Sequence, residues 1–346
     1  MTDIQQGGDT ATTMTEDAQG QPALEVSDLH VEFRTRDGVA TVLNGVSYHV
    51  DPGETLAVLG ESGSGKSVTA QTVMGILDSP PGFVTGGEVR YQGENLLTAT
   101  ESRRVAVRGE EVAMIFQDSL SALNPVFTVG FQIEEQFRIR RGMSRKDARK
   151  RAVELLDLVK IPNPQSRVTQ YPHEFSGGMR QRAMIAMSLA LDPEVLIADE
   201  PTTALDVTVQ AQIMDLLGEL QRERNMALIL ITHDLGVVAD VADRIAVMYA
   251  GRIVESGDVY SLYRNPAHPY TLALLESIPR LDVRGQELNT IKGLPPNLMR
   301  IPEGCPFNPR CTRAEDRCRT EMPELHQLGE GRASRCHFAS ELINNG

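Results

Sequence analysis

The sequence predicts an α/β fold built on a mainly parallel sheet, with a small cysteine-containing extension at the C-terminus. Three observations point there. Short apolar runs at 55–59, 112–116, 195–198 and 227–232 alternate with stretches of helical spacing, the signature of strand–helix–strand units. These runs are apolar at nearly every position, as strands covered on both faces require. After about Pro279 periodicity fades while Pro, Arg and Cys become dense, and a boundary is placed there, giving a main domain over 23–279 and an extension over 280–346.

Taken in order, residues 1–22 are polar, rich in Thr, Gln, Gly and Asp, and carry no apolar targeting core. They are expected to be a disordered leader, with a cytoplasmic location as the default. Residues 24–33 alternate apolar and polar and read as a strand. The run 55–59 ends at Gly60, and 67–77 then has helical spacing. Residues 145–159 form an amphipathic helix with Ala152, Leu155, Leu156 and Val159 on one face. A helix over 179–191 leads to the strand 195–198, followed by Asp199 and Glu200. A helix over 207–221 leads to the strand 227–232, followed by His233. Residues 244–249 and 252–255 flank Ala250-Gly251 as a hairpin.

With 346 residues, 41% of them hydrophobic, the chain can bury one large core and a smaller appendage. No apolar run approaches the ~18 residues that would span a bilayer, so a role at a membrane runs through partner proteins. A formal charge of −13 argues against sequence-independent nucleic-acid binding, which needs clustered Lys and Arg. The four cysteines, Cys305, Cys311, Cys318 and Cys336, fall in one short segment. In a cytosolic chain this suggests a metal site more than disulfides. Four thiolates suit zinc or a [4Fe–4S] cluster; the spacings are wider than the C-x2-C pairs common in zinc sites, and free or oxidised thiols are the third reading.

Gly60, Glu61, Ser62, Gly63, Ser64, Gly65, Lys66 and Ser67 fit G-x-x-x-x-G-K-[ST] between an apolar strand and a helix. Such a loop curls so that backbone N–H groups face phosphate oxygens, and the following helix, Val68 in its first turn, presents its positive end to the same anion. Lys66 is placed to reach the β- and γ-phosphates and Ser67 to ligate Mg²⁺. Alone, the loop specifies only an NTPase or kinase. No N-K-x-D guanine motif is present.

Four further motifs follow in order. Gln117 closes the run 112–116. Phe175-Ser-Gly-Gly-Met179 opens a helix ahead of the acidic strand end. Asp199-Glu200 continues through Pro-Thr-Thr-Ala-Leu to Asp206, and Thr232-His233-Asp234 ends the last apolar strand. Together with the phosphate loop, these resemble the ATPase subunits of ABC transporters over residues 24–257. The FSGGMRQR form, with Phe175 for Leu and Met179 for Gln, resembles one ATPase subunit type of the dipeptide and oligopeptide importers. Residues 118–129, with Leu123-Asn124-Pro125, and residues 265–281 resemble that family too.

The resemblance implies an ABC-type P-loop NTPase domain with an antiparallel β subdomain and a helical subdomain over about 118–192. It implies ATP and Mg²⁺ bound by the phosphate loop, Asp199 holding the metal, Gln117 touching metal and water, Glu200 activating water, and His233 contacting the γ-phosphate. Phe33 is the candidate to stack on adenine. Ser176, Gly177, Gly178 and Asp206 are implied to act across an interface with a second ABC ATPase subunit, a paralogue forming a heterodimer. Two transmembrane permease subunits and, indirectly, an extracytoplasmic substrate-binding protein complete the implied assembly, which places the chain peripherally at the cytoplasmic side of the plasma membrane. The family also favours a [4Fe–4S] cluster over zinc at the four cysteines. The expected function is ATP-driven peptide import; a soluble ABC ATPase acting on nucleic acid or ribosomes, or an importer of nickel complexes or glutathione, are the alternatives.

Overall fold

The computed structural model describes residues 20–118, 122–203, 205–277, 291–329 and 331–344. The leader expected over 1–22 lies outside them except for its last three residues, and the boundary near Pro279 lies outside them as well.

Two sheets pack face to face. The smaller is antiparallel, in the order β2 (Gly38–Val50), β1 (Leu24–Thr35), β4 (Gly82–Tyr91), β5 (Glu94–Asn95). The larger runs β11 (His326–Gly329), β12 (Arg332–Ser334), β10 (Arg252–Asp258), β9 (Arg244–Tyr249), β3 (Thr55–Leu59), β8 (Ala227–Thr232), β7 (Val195–Asp199), β6 (Val112–Ile115). From β9 to β6 every pairing is parallel; β10, β12 and β11 add an antiparallel edge.

The apolar runs explain this burial. Side chains alternate across a strand, so Leu56, Val58, Ile197, Ile229 and Ile231 join Leu24, Val31 and Leu43 of the small sheet in one core. Ala57, Leu59, Leu196, Ala198, Leu228 and Leu230 face the helices on the other side. That second core includes Ala152, Leu155, Leu156 and Val159 of the predicted amphipathic stretch. Its helix spans Arg145–Leu158, capped by Ser144, whose hydroxyl accepts the Asp147 N–H. It packs with the helices Val129–Arg140 and Gly177–Ser188.

The C-terminal segment is built into the same sheet: Glu255 and Ser256 of β10 pair with Ser334 and Ala333 of β12. Glu255 is fully buried. Its carboxylate accepts the backbone N–H groups of Ala267 at 2.6 Å and His268 at 3.0 Å, fixing the entry to the helix Pro269–Glu276. Among the described residues no helix is long and apolar enough to cross a membrane.

Candidate active site

The site lies at the carboxyl ends of adjacent parallel strands, where α/β sheets bind ligands. The phosphate loop follows β3 and leads into α1 (Lys66–Val73). Two of its glycines are sterically required. At Gly60 (φ +154°) a Cβ would stand 2.2 Å from the Met248 carbonyl oxygen, and at Gly65 (φ +109°) 2.7 Å from Leu43 Cδ2. Gly63 is open, with nothing within 4 Å of that position.

Lys66 is buried, and its Nζ donates to the carbonyls of Gly60 at 2.8 Å and Glu61 at 3.1 Å. Burial pulls its pKa below the ordinary lysine value, against the opposing charges of Glu200, Asp199 and Glu61. The Ser64 hydroxyl is buried and makes no hydrogen bond, an acceptor and donor aimed at nothing in the chain. Ser62 is exposed and Val68 half-buried against the inter-sheet core.

Asp199 ends β7, almost wholly buried, and its Oδ1 accepts the Ser67 hydroxyl at 3.0 Å. Burial raises its carboxyl pKa; the Ser67 bond works against that shift, the Glu200 charge adds to it, and Lys66 opposes it. Glu200 sits in the left-handed region (φ +46°), its N–H donating to the Ile231 carbonyl at 2.8 Å. Its carboxylate receives Gln117 Nε2 and Thr203 Oγ1, both at 2.9 Å, and lies 3.4 Å from His233 Nδ1. Gln117 follows β6 and His233 follows β8, so parallel pairing alone brings these groups together.

The other residues singled out from sequence lie elsewhere. Phe33 is half-buried in β1, paired with Ala40 and Gly82, and packs on the inter-sheet core. Ser176 caps its own helix by accepting the Met179 N–H at 3.3 Å. Gly177 and Gly178 pack against Leu205 and Val209, and the Asp206 carboxylate caps the helix Val207–Arg224 through the Val209 N–H. Ser176, Asp206 and Val207 are exposed there. Glu61 turns its carboxylate away to Arg310. Sequence reasoning did not single out Thr203, Tyr270 or Arg310 as individual residues; each stood inside a stretch already noted, but the contacts they make carry no local signal.

All four cysteines are free thiols and line one cavity of about 400 Å³ together with His268, Phe307 and Phe338. The Cys305 N–H donates to the Cys318 carbonyl at 2.8 Å. Burial pushes the Cys305 thiol up to about 11 and Cys336 up to about 12, with neighbouring thiols adding to it. Among the described residues no three His, Cys, Asp or Glu side chains stand close enough to hold a metal ion as they are. A larger cavity, about 930 Å³, lies at the opposite ends of the strands beside Pro52, Pro193 and Met226 and shares no residue with the phosphate loop.

A phosphate loop, an Asp-Glu strand end, a glutamine and a histidine on this two-sheet framework define a P-loop ATPase of the ATP-binding cassette class. The ABC transporter family model matches residues 43–203, and the model for the oligopeptide/dipeptide transporter C-terminal region matches 254–318. The chain belongs to the ABC transporter family, in the branch that carries this C-terminal region. It is 51% identical over 319 residues to the oligopeptide transport ATP-binding protein OppD of Salmonella typhimurium, covering 91% of this chain and 94% of that one. It is 50% identical over 327 residues to a Brucella abortus protein, a peptide import ATP-binding protein by name, covering 91% and 97%. Among solved structures it resembles the dimeric post-hydrolysis state of the ATP-binding cassette MJ0796 bound to ADP and Pi (TM-score 0.61, 28% identity, 68% of this chain and 98% of that one). It also resembles cbiO1 of Clostridium perfringens, part of the transporter complex cbiONQ (TM-score 0.60, 28% identity, 70% and 90%).

Proposed function

We propose that this chain is the ATP-hydrolysing subunit that powers peptide import through an ABC transporter, bound to the cytoplasmic side of the plasma membrane by its partners. One observation carries the reading: Lys66, Ser67, Gln117, Asp199, Glu200 and His233, scattered over 168 positions of the chain, converge at neighbouring strand ends. The open glycine at 63 and the unpartnered Ser64 hydroxyl fit a triphosphate seated on the loop. Ser67 and Asp199 would hold Mg²⁺, which when bound neutralises charge on the phosphate oxygens. Lys66, released from the loop carbonyls, neutralises the β- and γ-phosphates. Glu200 orients and deprotonates the attacking water, and His233 contacts the transferred group.

The exposed Ser176, with Gly177, Gly178 and Asp206 beside it, serves the nucleotide of a second ATPase subunit, a paralogue by the Met179 subtype. Phe33 stacks on adenine. Two permease subunits dock on the segment after Gln117, where Val126 and Phe127 are exposed; a substrate-binding protein delivers the peptide on the far side. The four thiols line one cavity, and four Cys ligands are the donor set of a [4Fe–4S] cluster. Cys305, Cys311, Cys318 and Cys336 would hold the cluster, which supplies a cross-link for a segment with little core.

The test is reconstitution with two permeases and a partner ATPase in vesicles. Mg-ATP should drive uptake of labelled di- or oligopeptides. Uptake of nickel complexes or glutathione but not peptides would overturn the cargo, and no co-purification with permeases would overturn the transport role.

A further inference from the structure

We propose that Arg310, in the cysteine-bearing segment, is a positioning residue for the phosphate loop: by neutralising and orienting Glu61 it lets the C-terminal segment set nucleotide affinity. The proposal rests on the ATPase reading of that loop.

Glu61 is held at each of its polar groups. Its carboxylate takes two parallel N–H bonds from Arg310, Nη1 to Oε2 at 2.6 Å and Nη2 to Oε1 at 2.9 Å. Its backbone N–H donates to Tyr270 Oη at 2.8 Å, and its carbonyl accepts Lys66 Nζ at 3.1 Å. The Arg310 side chain is 4% exposed and that of Glu61 26%, so the fork is partly withdrawn from water and fixed in orientation by its two bonds. Its Nε donates to the Lys292 carbonyl at 3.1 Å, which anchors the guanidinium in the C-terminal segment.

Packing continues the link. The rings of Tyr249, Tyr270 and Phe307 lie 4.6–5.3 Å apart, and the Arg310 guanidinium is 5.9 Å from two of them. Phe307 also lines the thiol cavity, and Arg310 immediately precedes Cys311. A packed path therefore runs from the thiols to the loop.

Charge gives the link its purpose. A carboxylate at the second position of a loop that receives a triphosphate repels it, and Glu61 acts electrostatically on Lys66 already. Arg310 cancels that charge. A merely structural pair would lose affinity when either partner is removed, whereas a pair that cancels charge gives unequal effects: losing the arginine weakens binding, and losing the glutamate does not.

Mg-ATP binding to the full chain, with KM and kcat, separates these. Arg310→Gln should weaken binding about tenfold, ~1.4 kcal/mol, with KM carrying the change. Glu61→Gln, which removes the repelling charge and leaves the loop's backbone groups in place, should bind more tightly than the parent, and the double variant should recover most of the loss. Parent-like binding by Arg310→Gln, or equal losses in both single variants, overturns the proposal. If Arg310→Gln does not fold, Glu61→Gln decides alone: unchanged or reduced affinity overturns it, increased affinity supports it. A parent chain that binds no Mg-ATP would instead defeat the ATPase reading.

Discussion

Gln117 and Glu200 meet across two adjacent strand ends, Nε2 donating to Oε2 at 2.9 Å. Glu200 is fixed from below by its bond to the Ile231 carbonyl and from the side by Thr203. Gln117, by contrast, is exposed at the head of the segment assigned to permease docking. On the docking proposed above, movement of that segment would shift a partner of the carboxylate and leave the carboxylate itself in place.

Glu200→Gln keeps the hydrogen-bonding shape and removes the base. Turnover should fall by at least ~100-fold, while Mg-ATP still binds and accumulates unhydrolysed. Single-turnover assays read both quantities, and turnover at the parent rate would remove Glu200 as the base.

Asp199→Asn should separate stability from activity. Burial raises the Asp199 pKa, so the folded chain holds a proton that the unfolded chain has already lost. Stability from this group is present at low pH and lost as pH rises from the unfolded value, about 3.9, through the raised folded one. Asparagine mimics the protonated form. The nucleotide-free Tm at pH 7 should rise, and Mg-dependent hydrolysis should collapse. A lower Tm in calorimetry would contradict this account.

His268 has the opposite sign. Its buried ring accepts the Tyr270 N–H through Nδ1 at 3.0 Å, and burial lowers its pKa to about 3. Between that value and about 6.5 the unfolded chain binds a proton that the folded one refuses, so stability falls as pH drops, by up to ~1.4 kcal/mol per unit. Neighbouring Glu255, whose pKa burial raises, slopes the other way in parent and variant alike. His268→Asn retains an acceptor at the cap, and between pH 7 and pH 5 it should lose about 2 kcal/mol less than the parent. Urea unfolding at the two pH values measures the difference; parallel losses would show that His268 stays neutral in neither state's favour.

Anaerobic purification should yield a brown protein absorbing near ~400 nm with about four iron and four sulfide per chain. The colour should be lost in a Cys305→Ser, Cys336→Ser double variant. Zinc without iron in metal analysis would replace the cluster with a single ion.

The strands that carry the site were readable because burial on both faces leaves little freedom: 55–59 and 227–232 coincide with β3 and β8. The same runs put Gln117, Asp199, Glu200 and His233 at strand ends, whereas their assignment to the site came from the resemblance to ABC transporter ATPase subunits. The small sheet was harder. Register shifts at Val26/Leu29 and His30/Val31 interrupt the alternation of β1, and β2 and β4 were not anticipated. The Arg310–Glu61 pair spans 249 positions, and no local pattern encodes it; only the completed sheet brings its ends together. β11 and β12 are short and largely polar, so their pairing depends on the edge already offered by β10.

That late edge has a consequence for biogenesis. Translation reaches β12 about seventy-five residues after β10, so on the ribosome the nascent sheet presents an unpaired border until β12 has emerged. A chain truncated before Arg332 would expose β10 main-chain groups that invite intermolecular pairing, making aggregation, rather than a milder loss of activity, its expected fate.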